Sequence, residues 1–331
     1  MAGEDSLRRL LGNPLARAML ALFFVLLIGA LFNADGAFFK WGTHRDMLRQ
    51  ASVFGILACG MTVVIITGGI DLSVGSVLAL SAVVFAKLSI HEGWPAWAAI
   101  AGAVASGMVC GLVSGAATAR FSLQPFIVTL AMMVFARGLA KTASGGMKVS
   151  TMVQKEDGTY DYVPEPEIFS LIDSRIFDGN LSVVTLVLAG CLLVTGVVLA
   201  RLHVGRHLYA IGGNEEAARL SGVPVGRTKL FAYAISGLFA GVAGVCQTAQ
   251  DYQGDPEAGM GYELSAIAIV VIGGTHLMGG RGGVTLTLIG ALTIGYLEKI
   301  LSINAVGEST RLMLTGAIIL GAVMFQRVQR Q

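Results

Sequence analysis

Ten apolar stretches recur along this chain, each near the length a helix needs to cross a hydrocarbon layer. They cover residues 15–33, 47–67, 73–91, 95–118, 124–142, 181–201, 229–249, 262–278, 284–303 and 309–326. A helix rising about 1.5 Å per residue needs roughly 20 such residues to span the core of a bilayer. Lipid offers no water to backbone N–H and C=O groups, so spanning segments must satisfy them internally, as a helix does. The predicted fold class is therefore an all-α polytopic membrane protein of about ten transmembrane helices, with residues 1–331 forming a single transmembrane domain. Composition agrees: 54% of residues are hydrophobic and 13% charged, about half the charged share of a soluble domain. Arg8, Arg9 and Arg17 accompany the first run. No small-residue cleavage site clearly follows it, so it reads as a span rather than a leader.

The net charge of +2 gives no case for nucleic acid as a partner; lipid is the surrounding medium. An even number of spans puts both termini on one side. With that side cytoplasmic, Arg8, Arg9, Arg17, Arg120, Arg201, Arg206, Arg219, Arg227, Lys229, Arg281, Arg327 and Arg330 lie inside, about half of the 23 Lys and Arg. This balance is nearly neutral, so the orientation leans on the clustered arginines of the 202–228 loop and of the termini. Cys59, Cys110, Cys191 and Cys246 all sit in apolar runs without ligand spacing. They read as packing residues, and no metal site is expected. Many of the 44 glycines also lie in the runs, where small residues let helices approach closely.

Two polar segments separate the spans. Residues 143–180 form a long loop carrying Glu156, Asp157, Asp161, Glu165, Glu167, Asp173 and Asp178 against Lys148, Lys155 and Arg175. Two readings stand for it, a solvated and partly ordered loop or a docking surface for an outer partner. Residues 202–228 form the largest loop on the other side and contain Gly212-Gly213-Asn214-Glu215-Glu216-Ala217-Ala218-Arg219-Leu220-Ser221-Gly222. Asn214 suits a helix N-cap, Glu215 and Glu216 suit the positive end of the dipole, and Ala217 to Leu220 are helix formers. Gly222 suits a stop. The pattern predicts a helix of about two turns, too short to span. It is either an ordinary ordered loop or a rigid knob that fits a cytosolic partner.

This segment resembles the coupling segment of ribose-type permeases, in the branched-chain amino acid and ribose ABC permease family. Three more stretches resemble the same family in matching order: Gly60 to Ser76, which contains Thr67-Gly68-Gly69-Ile70-Asp71-Leu72-Ser73; Gln124-Pro125-Phe126-Ile127-Val128-Thr129-Leu130; and Val271 to Gly282, which contains Gly273-Gly274-Thr275-His276. The resemblance covers about residues 47–326. It implies that the short helix docks on a separate ATP-binding cassette ATPase. It also implies that two permease subunits, identical or paralogous, pair around a central path, and that a periplasmic sugar-binding protein delivers the cargo. It places the chain in a bacterial cytoplasmic membrane. The Lys155 to Tyr162 stretch is longer than the family pattern leads one to expect.

Gly68-Gly69 and Gly273-Gly274 interrupt apolar runs. Ile65-Ile66-x-Gly-Gly-x-x-Leu72-x-x-Gly75 matches Val270-Val271-x-Gly-Gly-x-x-Leu277-x-x-Gly280 at a constant offset, which suggests an internal repeat of the kind transporters use. Broken backbone is tolerated at membrane depth only inside protein or beside a wet cavity. Thr67, Gly68, Gly69, Asp71, Ser73, Gly273, Gly274 and Thr275 are therefore candidates for path walls or gates, joined by Phe126 and Thr129 after the first-turn Pro125. Alternatives accompany several of them. Asp71 can instead cap a helix starting near Ser73, Phe126 and Thr129 can be core packing, and Glu298 beside Lys299 can be interfacial snorkelling.

No Gly-Lys dipeptide occurs, hence no phosphate-binding loop of the Gly-x-x-x-x-Gly-Lys type, and there is no Gly-x-Ser-x-Gly elbow or His-Glu-x-x-His site. No catalytic residues and no bound cofactor are expected; ATP and magnesium would belong to the partner ATPase. An ion-driven transporter would want more paired acids within its spans than Asp71 and Glu298, and a passive scaffold would not need two glycine breaks. A sugar or polyol is the preferred cargo, because Gly-Gly-Ile-Asp-Leu-Ser resembles the ribose-type branch. Branched-chain amino acids come second.

Overall fold

A computed structural model describes residues 13–154, 159–307, 309–314, 316–317 and 320–321. The terminal residues Glu4, Asp5, Arg8, Arg9, Arg327 and Arg330, the loop residues Lys155 to Gly158 and part of the expected 309–326 span lie outside them.

Among the described residues, eight helices are long and apolar enough to cross a membrane. The first three are α1 (Pro14–Leu31), α2 (Trp41–Ile66) and α3 (Val74–Ala86, extended by a π turn to His91). Next come α4 (Ala96–Phe121) and α5 (Pro125–Ser144). A short α6 (Glu167–Asp173) precedes α7 (Val183–Ala200). Two short helices follow, α8 (His203–Gly213) and α9 (Glu215–Leu220), then α10 (Val225–Asp251). Last come α11 (Tyr262–Ile272) and α12 (Val284–Ile303). Residues 309–314 are helical too. The chain is an all-α polytopic membrane protein; the strands among the described residues are two short antiparallel pairs, Met152–Gln154 with Tyr160–Tyr162 and Arg175–Ile176 with Leu181–Ser182.

The expected 262–278 span is shorter than its apolar run. Helix α11 stops at Ile272, because Gly274 adopts a φ of 104° that a right-handed helix does not use. Eleven residues rise only about 16 Å, so α11 is a half-length helix that ends inside the bundle.

Helix α2 runs through the centre and is buried almost continuously from Ala51 to Ile66. Helix α10 packs along α4 more extensively than any other pair. The reason is compositional: Gly107, Gly111 and Gly115 on α4 face Gly237, Tyr233 and Leu230 on α10, and a Cβ at Gly115 would stand 2.9 Å from Leu230 Cα. Glycines four apart form one flat stripe, and their backbones approach as they do in small-residue membrane crossings. All four cysteines are free and buried, as packing residues would be.

The 143–180 loop is fastened to the bundle. Arg49 and Asp173 form an ion pair, and Arg175 reaches Asp46 at 2.6 Å. Lys148 reaches Asp255 at 3.1 Å, and the Trp41 indole N–H donates to Asn180 at 2.7 Å. Phe169 and Ile172 of α6 are buried beneath it. This loop gathers at the N-terminal end of α2. The α8–α9 segment sits at the other end, where α2 and α7 finish and α10 and α12 begin.

Candidate functional site

Helix α9 is capped as its residues dictate. Asn214 has extended backbone, and its side chain accepts from the Ala217 N–H at 3.0 Å. Glu215 joins α9 to α10 through Lys229 Nζ at 2.7 Å and also holds Arg219 at 3.2 Å. Beneath the elbow, Ala218 packs with Ile211 and Val225. Ser221 donates to the Ala217 carbonyl at 2.8 Å, and Gly222 follows at a φ of 82°. The outward face is different. Glu216, Ala217 and Arg219 are exposed, and Leu220 is 81% exposed, more than any other large apolar side chain among the described residues. A braced helix thus presents an unburied leucine between charged neighbours.

Helix α8 has no counterpart in the sequence expectations. Its Leu208 and Ile211 are buried, and Val204 packs against the cluster that contains Leu208. The spacing 204, 208, 211 is the helical signal that reveals it. It matters because α8 ends on Gly212, which lies against both membrane breaks. A Cβ on Gly212 would overlap the Ile66 carbonyl oxygen and the Gly280 nitrogen. Gly280 N–H donates to that same Ile66 carbonyl at 3.0 Å. A Cβ on Gly279 would stand 2.7 Å from Gly68 N and 2.8 Å from Gly212 Cα. Three segments far apart in sequence therefore meet backbone to backbone, with no side chain between them. A fourth tie is the Tyr209 hydroxyl, which donates to the Gly282 carbonyl at 3.0 Å. Burial raises the Tyr209 pKa above its ordinary value.

The first break, residues 67–73, turns on Gly68 at a φ of 80°. Thr67 is buried, and its hydroxyl donates to the Val64 carbonyl at 2.7 Å. Gly69 lies under Tyr233 of α10. Asp71 is 1% exposed. One of its carboxylate oxygens accepts from the Ser73 N–H at 3.0 Å and from the Ser73 hydroxyl at 2.6 Å; the other accepts from the Ser236 hydroxyl of α10 at 2.7 Å. Asp71 thus organises the turn into α3 and ties it across the bundle. Thr129 is fully buried and donates to the Ile70 carbonyl at 3.2 Å, so α5 also grips this break. Phe126 instead is 52% exposed on the outside of the subunit.

The second break, residues 273–283, is longer. Gly273 packs under the Leu286 carbonyl, Gly274 beside Pro14, and Thr275 against Gly282. The Thr275 N–H donates to the Val270 carbonyl at 3.1 Å and the His276 N–H to the Arg281 carbonyl at 2.9 Å. The two breaks match in sequence but not in conformation. Gly68 has positive φ whereas Gly273, at the equivalent position, has a φ of −59°.

Comparison with known proteins places the chain among transport permeases. Residues 44–323 match the family model described as branched-chain amino acid transport system / permease component. The chain is 37% identical to the ribose import permease protein of Escherichia coli K12, over 93% of this chain and 92% of that protein. It is 34% identical to the fructose import permease protein of Bifidobacterium longum and 34% identical to the L-arabinose transport system permease protein of Escherichia coli K12. Each of these two matches covers 95% of this chain and 90% of the relative.

Proposed function

The chain belongs to the family of branched-chain amino acid transport system permease components, and from that premise we propose that it is the membrane-spanning subunit of an ATP-driven importer for a sugar or polyol. Relatives named for ribose, fructose and arabinose import support a sugar over a branched-chain amino acid. Two such subunits pair around the path, in a bacterial cytoplasmic membrane with both termini in the cytoplasm. A periplasmic binding protein brings the cargo, and cytosolic ATPase subunits hydrolyse ATP with magnesium. This chain itself performs no hydrolysis.

The observation that carries the reading is Leu220, exposed on a helix that is capped at Asn214 and cross-braced by Glu215. Isolated in water, such a leucine forgoes about 1.5–3 kcal/mol of burial; a cleft on an ATPase subunit supplies that burial. Glu216 and Arg219 beside it add charged contacts that orient the docking. Force applied to α9 passes to α8 through their shared packing and reaches both breaks at Gly212. ATP shifts the importer only by binding one arrangement better than the other, and the close backbone junction makes the two arrangements discrete rather than graded.

Energy-source dissection in cells tests the reading. Uptake of labelled D-ribose and myo-inositol is expected to survive collapse of the proton gradient while ATP is maintained, and to stop when ATP is depleted with the gradient intact. The reverse pattern would mean an ion-coupled transporter.

A further inference from the structure

The end of the bundle opposite α9 holds a cavity of about 420 Å³ between α2, α10, α11 and α12, inside the range of roughly 300–1,000 Å³ found for small-molecule sites. Its composition is unusual for this chain. Arg49, Gln247, Gln250, Asp251 and Glu298 line it together with an aromatic pair, Phe54 and Tyr262, whose ring centres are 4.4 Å apart.

We propose that this cavity is a binding pocket, contained within one subunit, for a small neutral polyhydroxylated molecule. Three observations select that chemistry. First, charged groups of both signs line the cavity, Arg49 and Arg311 with Asp251 and Glu298, and Arg49 is already paired with Asp173, so the lining offers no unpaired cationic cluster to hold an anion. Second, the polar groups are pre-oriented rather than loose. Gln247 donates to Asp251 at 2.6 Å, Gln250 donates to the Arg49 carbonyl at 3.3 Å, and Arg49 Nε donates to Asp173 at 2.9 Å. Amides and carboxylates held in this way offer donors and acceptors in several directions, which suits a ring of hydroxyl groups. Third, the Phe54–Tyr262 wall gives an apolar face for the C–H side of such a ring, and the buried Ile269, Ala291 and Ile294 also line the cavity.

The pocket shares α2 with the first break. Arg49 and Ile66 are 17 residues apart on that helix, about 26 Å at the helical rise. An occupant therefore sits at the opposite end of the same rod from the Gly212 junction. The choice of ligand class rests on the sugar reading above; the existence of the pocket does not.

The test uses the full importer with its ATPase subunits in detergent. Ser302 lines the rim and is exposed, so Ser302→Cys introduces a near-isosteric thiol at the mouth. The native cysteines are buried and set the background for labelling by a charged methanethiosulfonate. D-ribose or myo-inositol is expected to slow labelling in a saturable way, by about tenfold at ten times the half-protecting concentration. Adding Gln247→Leu is expected to remove the protection, and Tyr162→Cys on the exposed hairpin is expected to show none. Absence of protection by both polyols, protection that survives Gln247→Leu, or equal protection by L-leucine would overturn the proposal. The ATP dependence of uptake by the unaltered importer is scored separately, so failure of the pocket is distinguishable from failure of the transport reading.

Discussion

Replacing Gly212 by alanine puts two physical effects in opposition. Alanine is the better helix former by about 1 kcal/mol, and Gly212 is the penultimate residue of α8 with no positive φ to relieve. Propensity alone predicts a gain. Packing predicts the opposite, because the new Cβ would lie well inside the 3.0 Å that real Cβ atoms keep from the Ile66 carbonyl oxygen and the Gly280 nitrogen, and both are backbone atoms. No rotamer change relieves such a clash. Overpacking by one methyl group costs about 1–3 kcal/mol, and displacing Gly280 from Ile66 adds about 1 kcal/mol for the lost hydrogen bond. Packing wins, and α8 must move off the two breaks. A coupling free energy of about 1–3 kcal/mol corresponds to a factor of roughly 5–150, so ATP-driven sugar uptake is expected to fall by at least about fivefold. The assay is initial uptake in proteoliposomes, with membrane insertion and ATPase co-purification measured alongside and expected to persist. Gly213→Ala is the matched control, since a Cβ there meets nothing within 4 Å. Normal uptake in Gly212→Ala, or an equal loss in Gly213→Ala, would refute the reasoning.

Other perturbations follow from the same geometry. Leu220→Asp removes about 1.5–3 kcal/mol of partner burial, so co-purification of the ATPase should weaken by roughly ten- to a hundredfold; unchanged affinity in a titration would count against docking at α9. Ser236→Ala leaves one oxygen of the buried Asp71 side chain without the hydrogen bond it now accepts, at a cost of about 1–3 kcal/mol for a buried acceptor left unsatisfied, and the thermal midpoint in detergent should fall by several degrees. Gly111→Val drives a branched side chain into the Tyr233 carbonyl on α10, so the yield of monodisperse protein should collapse. A normal yield would mean that the α4–α10 crossing does not need its glycines. Glu216→Arg on the exposed face of α9 should abolish uptake while membrane insertion continues.

The spans were legible because bilayer thickness imposes a length on any apolar helix, and the described helices from Pro14–Leu31 to Val284–Ile303 follow the apolar windows closely. Helix α9 was legible because Asn214, two acids and a run of helix formers are local signals. The 262–278 run misled, since hydropathy continues past Ile272 while the backbone, turned by Gly274, does not. Helix α8 was hidden by three glycines and two histidines, although Val204, Leu208 and Ile211 carried its periodicity. The meeting of Gly68, Gly212 and Gly279 could not be read from sequence. Each glycine looks like a local break or cap, and only long-range packing shows that they share one contact. The same holds for Asp71, whose link to Ser236 joins residues 165 positions apart.

Transport can be compared in liposomes that contain this permease with and without its ATPase subunits. With the binding protein and ATP present on their proper sides, sugar is expected to accumulate against its gradient only when the ATPase is included. Accumulation of equal extent with the ATPase left out would contradict it, because α9 would then have nothing to transmit.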